Sequence, residues 1–370
     1  MKNLFETTII NQMELKNRFV RSATWEGLAN PDGSCSEELT DLMVNLAKGQ
    51  VGLIISGHAY INSEGFSSVR QLGIHDDRLI TSYKKMVEKV HAEGSKIFMQ
   101  ITHSGAKSWI GLAEKKPFGP SFLKVKDILN CREITLSEVS QIIEDFKNAA
   151  LRAKKAGFDG VQIHAAHGYL LSEFLSPFFN KRKDKYGGCL ENRARLVLEI
   201  YRAIRSAVGI EFTVIIKINS EDFIKEEFMV QGFTLSEMLQ VAAMLEVEGI
   251  DAIELSGSLS LPISKYLSFR TEKINSREKE VYYREAAELY KGKIAVPLIL
   301  VGGIRSYEVA KELVEEEQAD YISLCRPLIR EPELIKRWYS GDIKRATCVS
   351  CGKCFTQAKT GKGMRCVLEN

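Results

Sequence analysis

Short apolar runs rich in β-branched residues recur along the chain, and each opens into a polar loop followed by a stretch with helical spacing of apolar positions. The runs are NRFVRSAT from Asn17, VGLIISG from Val51, SKIFMQIT from Ser95, FDGVQIH from Phe158, FTVIIKI from Phe212, IDAIEL from Ile250, VPLILVG from Val296 and ADYISLC from Ala319. Between them, Leu79, Ile80, Tyr83, Met86, Val87 and Val90 form one helical stripe, and Ile142, Ile143, Phe146, Ala149, Ala150 and Ala153 form another. Thr135 with Glu138 and Thr234 with Glu237 have capping-box spacing, in which hydroxyl and carboxylate satisfy free amides at a helix start. Strand and helix alternating in this way read as an α/β protein, and eight strands are the number that closes a TIM (β/α)8 barrel. The barrel is expected over residues 1–340. The pattern breaks after about Trp338, and residues 341–370 read as a Cys-rich extension appended to the barrel.

Three loops are long: His103 to Glu133, Ala165 to Leu190 and Gly257 to Arg277. All follow strands, so all belong on the C-terminal rim of the barrel, where they would form substrate walls and lids.

Hydrophobic content of 45% with 27% charged residues excludes a disordered or fibrous chain. The net charge of +3 is spread without a basic block, which leaves nucleic acid no electrostatic footprint. There is no apolar run of membrane-spanning length, and the polar start, with Glu6, is unlike a signal peptide, so a cytoplasmic protein is expected. Four of the eight cysteines are scattered (Cys35, Cys131, Cys189, Cys325), which is unlike a secreted disulfide framework; Cys189 and Cys325 read as small buried residues. The other four, Cys348, Cys351, Cys354 and Cys366, crowd near the C-terminus and read as metal or cluster ligands.

Candidate chemistry collects at the strand ends. Gly302 and Gly303 follow the seventh strand and Arg326 the eighth, the pair of loops where such barrels hold phosphate. His164 ends the fourth strand, with His167 and Tyr169 just beyond. Two neutral imidazoles can hold a carbonyl oxygen and stabilise charge developing on it, while a phenol delivers a proton. A metal is the rival reading, but no third ligand is visible nearby. Lys217, a charge in an apolar strand, needs a partner or the rim; it could be a Schiff-base lysine or the cation beside a cofactor that becomes anionic on reduction. Gln100 adds an amide able to match a donor and an acceptor on a heterocycle.

The segment HAAHGYLLSEFLSP followed by NKRKDKYGGCLENR, from Asn180 to Arg193, resembles the signature of the Old Yellow Enzyme family of FMN-dependent ene-reductases. The likeness extends to LKNRFVRSAT, QVGLIISG, the Gln100, His103, Gly105 pattern, VGGIR and LCRPLIREP. By that resemblance the phosphorylated ligand is FMN and the reductant NADH or NADPH. It assigns Gln100 and Lys217 to the flavin ring, Gly302, Gly303 and Arg326 to the phosphate, and backbone around Ser22, Ala23, Thr24 and Gly57 to the ring edge. His164 and His167 would hold the oxygen of an activated alkene, and Tyr169 would supply a proton. The sequence departs from the family pattern at Lys217, where Arg is common, at Ala106, and at Trp25, which falls where a residue tuning the flavin commonly stands. Arg182, Asp184, Glu191 and Arg193 read as loop-fixing charges. The tail spacing C-x2-C-x2-C-x11-C is similar to the iron-sulfur segment of 2,4-dienoyl-CoA reductase, a larger relative, with one gap a residue shorter. It could hold a [4Fe-4S] cluster or zinc, and a cluster would call for a separate electron donor. A homo-oligomer is expected. Two other readings stay open: a flavin-free phosphate-binding lyase or isomerase using Lys217, and an electron-transfer module acting through the cysteine tail.

Overall fold

The computed structural model describes residues 2–108, 116–125, 129–267 and 269–368. Eight parallel strands, each on one of the apolar runs and four of them ending one to three residues beyond it, pair in chain order and close on themselves. They are β1 (Phe19–Arg21), β2 (Leu53–Tyr60), β3 (Lys96–Thr102), β4 (Gly160–Ala165), β5 (Thr213–Asn219), β6 (Ala252–Ser256), β7 (Leu298–Val301) and β8 (Tyr321–Leu324). The expected TIM barrel is therefore the fold. Its interior is filled by Val20, Leu53, Ile55, Phe98, Ile215, Ala252, Ile299 and Tyr321. A hairpin of Thr8–Ile10 and Met13–Leu15 packs Ile10, Met13 and Leu15 onto the same cluster, and the barrel is a packed core, not a pore.

Helices α1 (Glu37–Lys48), α2 (Ile80–Ala92), α3 (Leu136–Lys155), α4 (Leu190–Val208), α5 (Leu235–Glu248), α6 (Arg284–Lys291) and α7 (Tyr307–Glu315) connect the strands. Tyr83, Met86, Val87 and Val90 of α2 are buried, as are Ile142, Phe146, Ala149, Ala150 and Ala153 of α3. Both capping boxes form, at Thr135 with Glu138 and at Thr234 with Glu237.

The rim is where the chain elaborates. The loop after β3 builds a small sheet from Phe118–Gly119, Leu123–Val125 and Leu129–Glu133; residues 109–115 and 126–128 of that loop lie outside the described residues. The loop after β4 carries a short helix, Leu170–Leu175, then a turn fixed by Arg182 paired with Asp184 at 2.6 Å. Arg193 pairs with Glu237 of α5, while Glu191 is a surface residue in the first turn of α4. Cys189 is exposed, not buried, because it caps α4 from a surface turn; Cys325 is half-buried beside Thr24, Sγ to Oγ1 3.1 Å. The tail returns to the rim. Ala346 N donates to Arg305 O at 2.9 Å and Met364 N to Glu26 O at 2.6 Å, and the Phe355 ring stacks on Phe269 with centroids 4.2 Å apart.

Candidate active site

A cleft of about 680 Å³ opens at the C-terminal end of the barrel. Its walls include Ser22, Ala23 and Thr24 after β1, Gln100 on β3, His164, His167 and Tyr169 from β4 and its loop, and Lys217 on β5. Gly302, Gly303 and Arg326 close one end. Of the residues expected here from sequence, Gly57 alone is not among the lining residues. Its amide donates to Glu26 Oε1 at 3.1 Å, and a Cβ there would strike that carboxylate at 2.2 Å, so the glycine serves packing against Glu26. A register shift between Ile55 and His58 places the neighbouring His58 in the cleft wall instead.

Three imidazoles and one phenol crowd one side. The His164 ring lies 5.1 Å from His167 and 5.1 Å from Tyr169, edge-on to both. Tyr169 Oη is 3.3 Å from His58 Nε2. His167 holds a left-handed backbone, φ 62°, fixed by its amide donating to Asn219 Oδ1 at 3.0 Å, and its Nε2 meets Ser256 Oγ at 2.7 Å. His164 Nδ1 is buried with no protein partner, which suits a group waiting for a ligand. Burial pushes the pKa of His164 and His167 well below the ordinary value, helped by the neighbouring imidazoles and the cations Lys217 and Lys107. Burial also pushes His58 down to about 4 and raises Tyr169. The rings are therefore neutral at neutral pH, each with one N–H to donate, and the phenol keeps its proton. His58 is the third imidazole that the sequence did not reveal, yet among the described residues no group of three or more His, Cys, Asp or Glu could hold a metal.

The depressed histidines predict acid lability. His58 titrates near 6.5 when unfolded and near 4 when folded, so between these values the unfolded chain binds the proton that the folded chain refuses. Its contribution is complete above about pH 6.5 and falls away toward pH 4, by about 2 to 3 kcal/mol. Thermal midpoints should drop across this window, and His58→Gln should flatten the drop; parallel curves for the two proteins would contradict the assignment.

The floor of the cleft is a closed polar network. Lys217 and Glu254 are register partners on β5 and β6, with Nζ 3.3 Å from Oε1, and Lys217 Nζ also donates to Ser22 Oγ at 2.8 Å. A lysine occupied in this way is a charge-pairing group rather than a free amine nucleophile. Gln100 Nε2 donates to Gln162 Oε1 at 2.6 Å, its register partner on β4.

At the other end Gly302 and Gly303 have φ 130° and 78°, values that favour glycine, and a Cβ on Gly303 would come within 2.6 Å of the Tyr282 ring. Arg326 Nη1 donates to Arg270 O at 2.6 Å and Ser350 O at 3.2 Å, which fixes the guanidinium beside the glycine turn. Arg305 Nε is buried there without a partner. This end suits a phosphate, and the amide-rich floor suits a heterocycle, so the residues present fit FMN. Losing one charge-assisted contact costs about 1.5 to 3 kcal/mol, so Arg326→Ala should weaken FMN retention by about tenfold or more. Flavin fluorescence on titrating stripped protein with FMN measures this; unchanged affinity would sink the phosphate assignment.

A barrel suited to a phosphate at β7 and β8 and to a flat heterocycle over an amide-rich floor, beside a pair of neutral imidazoles, has the features of a flavin oxidoreductase. Comparison with known proteins gives the family: residues 3–344 match the NADH:flavin oxidoreductase / NADH oxidase family, and the chain belongs to it, the Old Yellow Enzyme family. The cofactor of that family is FMN. The chain is 37% identical to an NADH oxidase of Thermoanaerobacter brockii, over 94% of this chain and 52% of that protein. It is 32% identical to a cinnamate reductase of Clostridium sporogenes, over 95% of this chain and 55% of that one. The solved 2-naphthoyl-CoA reductase in complex with 2-naphthoyl-CoA superposes with a TM-score of 0.90 at 28% identity, covering 99% of this chain and 57% of that one. The chain thus spans about half the length of these relatives.

Sequence reasoning missed four contributors. His58 and Glu254 are polar residues inside apolar strands, the signal that singled out Lys217, but their place in the site is set by the bulge in β2 and the register of β5 with β6. Phe355 and Lys359 of the tail also line the cleft, and nothing local in the sequence indicates it.

Proposed function

We propose that the protein reduces the activated alkene of an α,β-unsaturated carbonyl or acid derivative at the expense of NADH or NADPH. The observation that carries the reading is the neutral His164 and His167 pair beside a protonated Tyr169 in a cleft suited to FMN. FMN, when bound, would supply the hydride-transfer chemistry between nicotinamide and alkene. Gly302, Gly303 and Arg326 would hold its phosphate, Gln100 and Lys217 would meet its ring, and backbone of Ser22, Ala23 and Thr24 would serve the ring edge. His164 and His167 donate N–H groups to the substrate oxygen and stabilise the charge that develops there as the β-carbon is reduced. Tyr169 delivers its phenolic proton to the α-carbon, with His58 holding the hydroxyl in place. Names of two similar proteins, cinnamate reductase and 2-naphthoyl-CoA reductase, point to conjugated aromatic acids or their thioesters as the compounds to try first. The proposal includes a cytoplasmic homo-oligomer.

The test is an absorption spectrum of the purified protein followed by release of the chromophore. A yellow protein yielding FMN on denaturation supports the reading. A colourless protein trapped by borohydride with a carbonyl substrate would replace it with Schiff-base chemistry at Lys217.

The tail adds a second element. Cys348, Cys351, Cys354 and Cys366 line one small cavity beside Arg330, although among the described residues no set of them is gathered closely enough to hold a metal. Binding a [4Fe-4S] cluster or zinc would draw them together, and a cluster would admit an electron donor separate from the nicotinamide. Iron and acid-labile sulfide near four per chain after anaerobic purification is the expected result for the cluster; zinc would make the tail a structural clip, and neither would leave it a packing element of the rim.

A further inference from the structure

Beneath the cleft, Glu254 is completely buried among three hydrogen-bond donors and one ion-pair partner. Its Oε1 accepts from Ser22 Oγ and from Ser323 Oγ, each at 2.8 Å, and lies 3.3 Å from Lys217 Nζ. Its Oε2 accepts from Gln162 Nε2 at 2.8 Å. A buried carboxylate so fully engaged is not a space-filling accident, because burying an ion costs several kcal/mol unless it is paired and hydrogen-bonded.

The geometry points to Glu254 as a positioning residue that sets both the electrostatics and the hydrogen-bond polarity of the flavin floor, an inference that rests on the FMN reading. Lys217 is the cation expected beside the ring that becomes anionic on reduction, and Glu254, its register partner, cancels that charge at contact distance. The floor beneath the ring is thus close to neutral, and the reduced cofactor is stabilised less than by a lone cation.

An ionised carboxylate only accepts, so Gln162 must turn its Nε2 toward Glu254 and its Oε1 away. Gln162 Oε1 then requires a donor, and Gln100 must offer Nε2 to it, as it does at 2.6 Å. One N–H and the carbonyl oxygen of Gln100 are left for the ring in a single orientation. The carboxylate thereby fixes an amide two links away that it never touches.

The test is the two-electron midpoint potential of the holoprotein, measured by dye equilibration, together with sulfite affinity of the oxidised flavin. Glu254→Gln unmasks Lys217 and should shift the equilibrium toward reduced flavin at least about tenfold, a rise of about 30 mV for a two-electron couple, and tighten sulfite binding in the same sense. Lys217→Met should move both readouts the opposite way, and the double variant should return toward the parent values. Glu254→Asp, which keeps the charge but draws it back from Lys217, should rise in the same direction by less, and it decides the matter if Glu254→Gln does not yield holoprotein. Unchanged potential and sulfite affinity in the Glu254 variants would overturn the inference while leaving the FMN reading intact. Parent protein that binds no FMN would overturn that reading instead.

Discussion

Replacing His164 and His167 together by Ala is expected to slow alkene reduction by about a thousandfold or more while flavin reduction by NAD(P)H falls much less. Both rings are held neutral, so in the proposed reaction each would offer an N–H to an oxygen that gains negative charge in the transition state. Removing one such donor from a water-poor site costs about 10²–10³ in rate, and removing both leaves the developing charge with no fixed partner on that side. The nicotinamide needs no oxyanion stabilisation to give up hydride, which is why the two half-reactions should separate in anaerobic stopped-flow measurements. Equal losses in both would mean that the histidines serve the fold or the flavin instead.

Tyr169→Phe is expected to slow only the half-reaction in which the alkene is reduced, by about 10²–10⁴, the range a positioned general acid supplies. Burial raises the phenol's pKa, so the proton is present at neutral pH. Phe keeps the ring packing against His58 and His164, with centroids 5.4 and 5.1 Å away in the parent, so structural loss should be small. Solvent-isotope sensitivity of that step should change with the variant. A Tyr169→Phe protein that reduces alkenes at the parental rate would transfer the proton donation to water or another group.

The strands were legible because each is a mainly apolar, β-branched run bounded by polar residues and glycines, and the histidine pair because it sits directly on a strand end. What stayed hidden depends on register. Lys217 faces Glu254 only because β5 and β6 align those two residues, and Gln100 meets Gln162 only through the alignment of β3 with β4. A one-residue slip would send each side chain to the other face. The bulge in β2 is hidden for the same reason: it exchanges the expected Gly57 for His58 in the cleft wall, and apolar periodicity carries no sign of an extra residue. The tail read as an appendage since its composition lacks a helical or strand period. Its contacts with Arg305, Glu26 and Phe269 are long-range and bring Phe355 and Lys359 into the cleft wall.

The central claim is that one cleft passes hydride from a nicotinamide to an alkene whose oxygen is held by His164 and His167. Anaerobic titration of the purified protein with NADH or NADPH, followed by an α,β-unsaturated acid, thioester or ketone, tests it most directly. The account predicts that the flavin absorbance bleaches with about one equivalent of nicotinamide and returns on adding the alkene, with the saturated product formed in matching amount. Absorbance that bleaches but returns only when oxygen is admitted, with every alkene recovered unchanged, would contradict it.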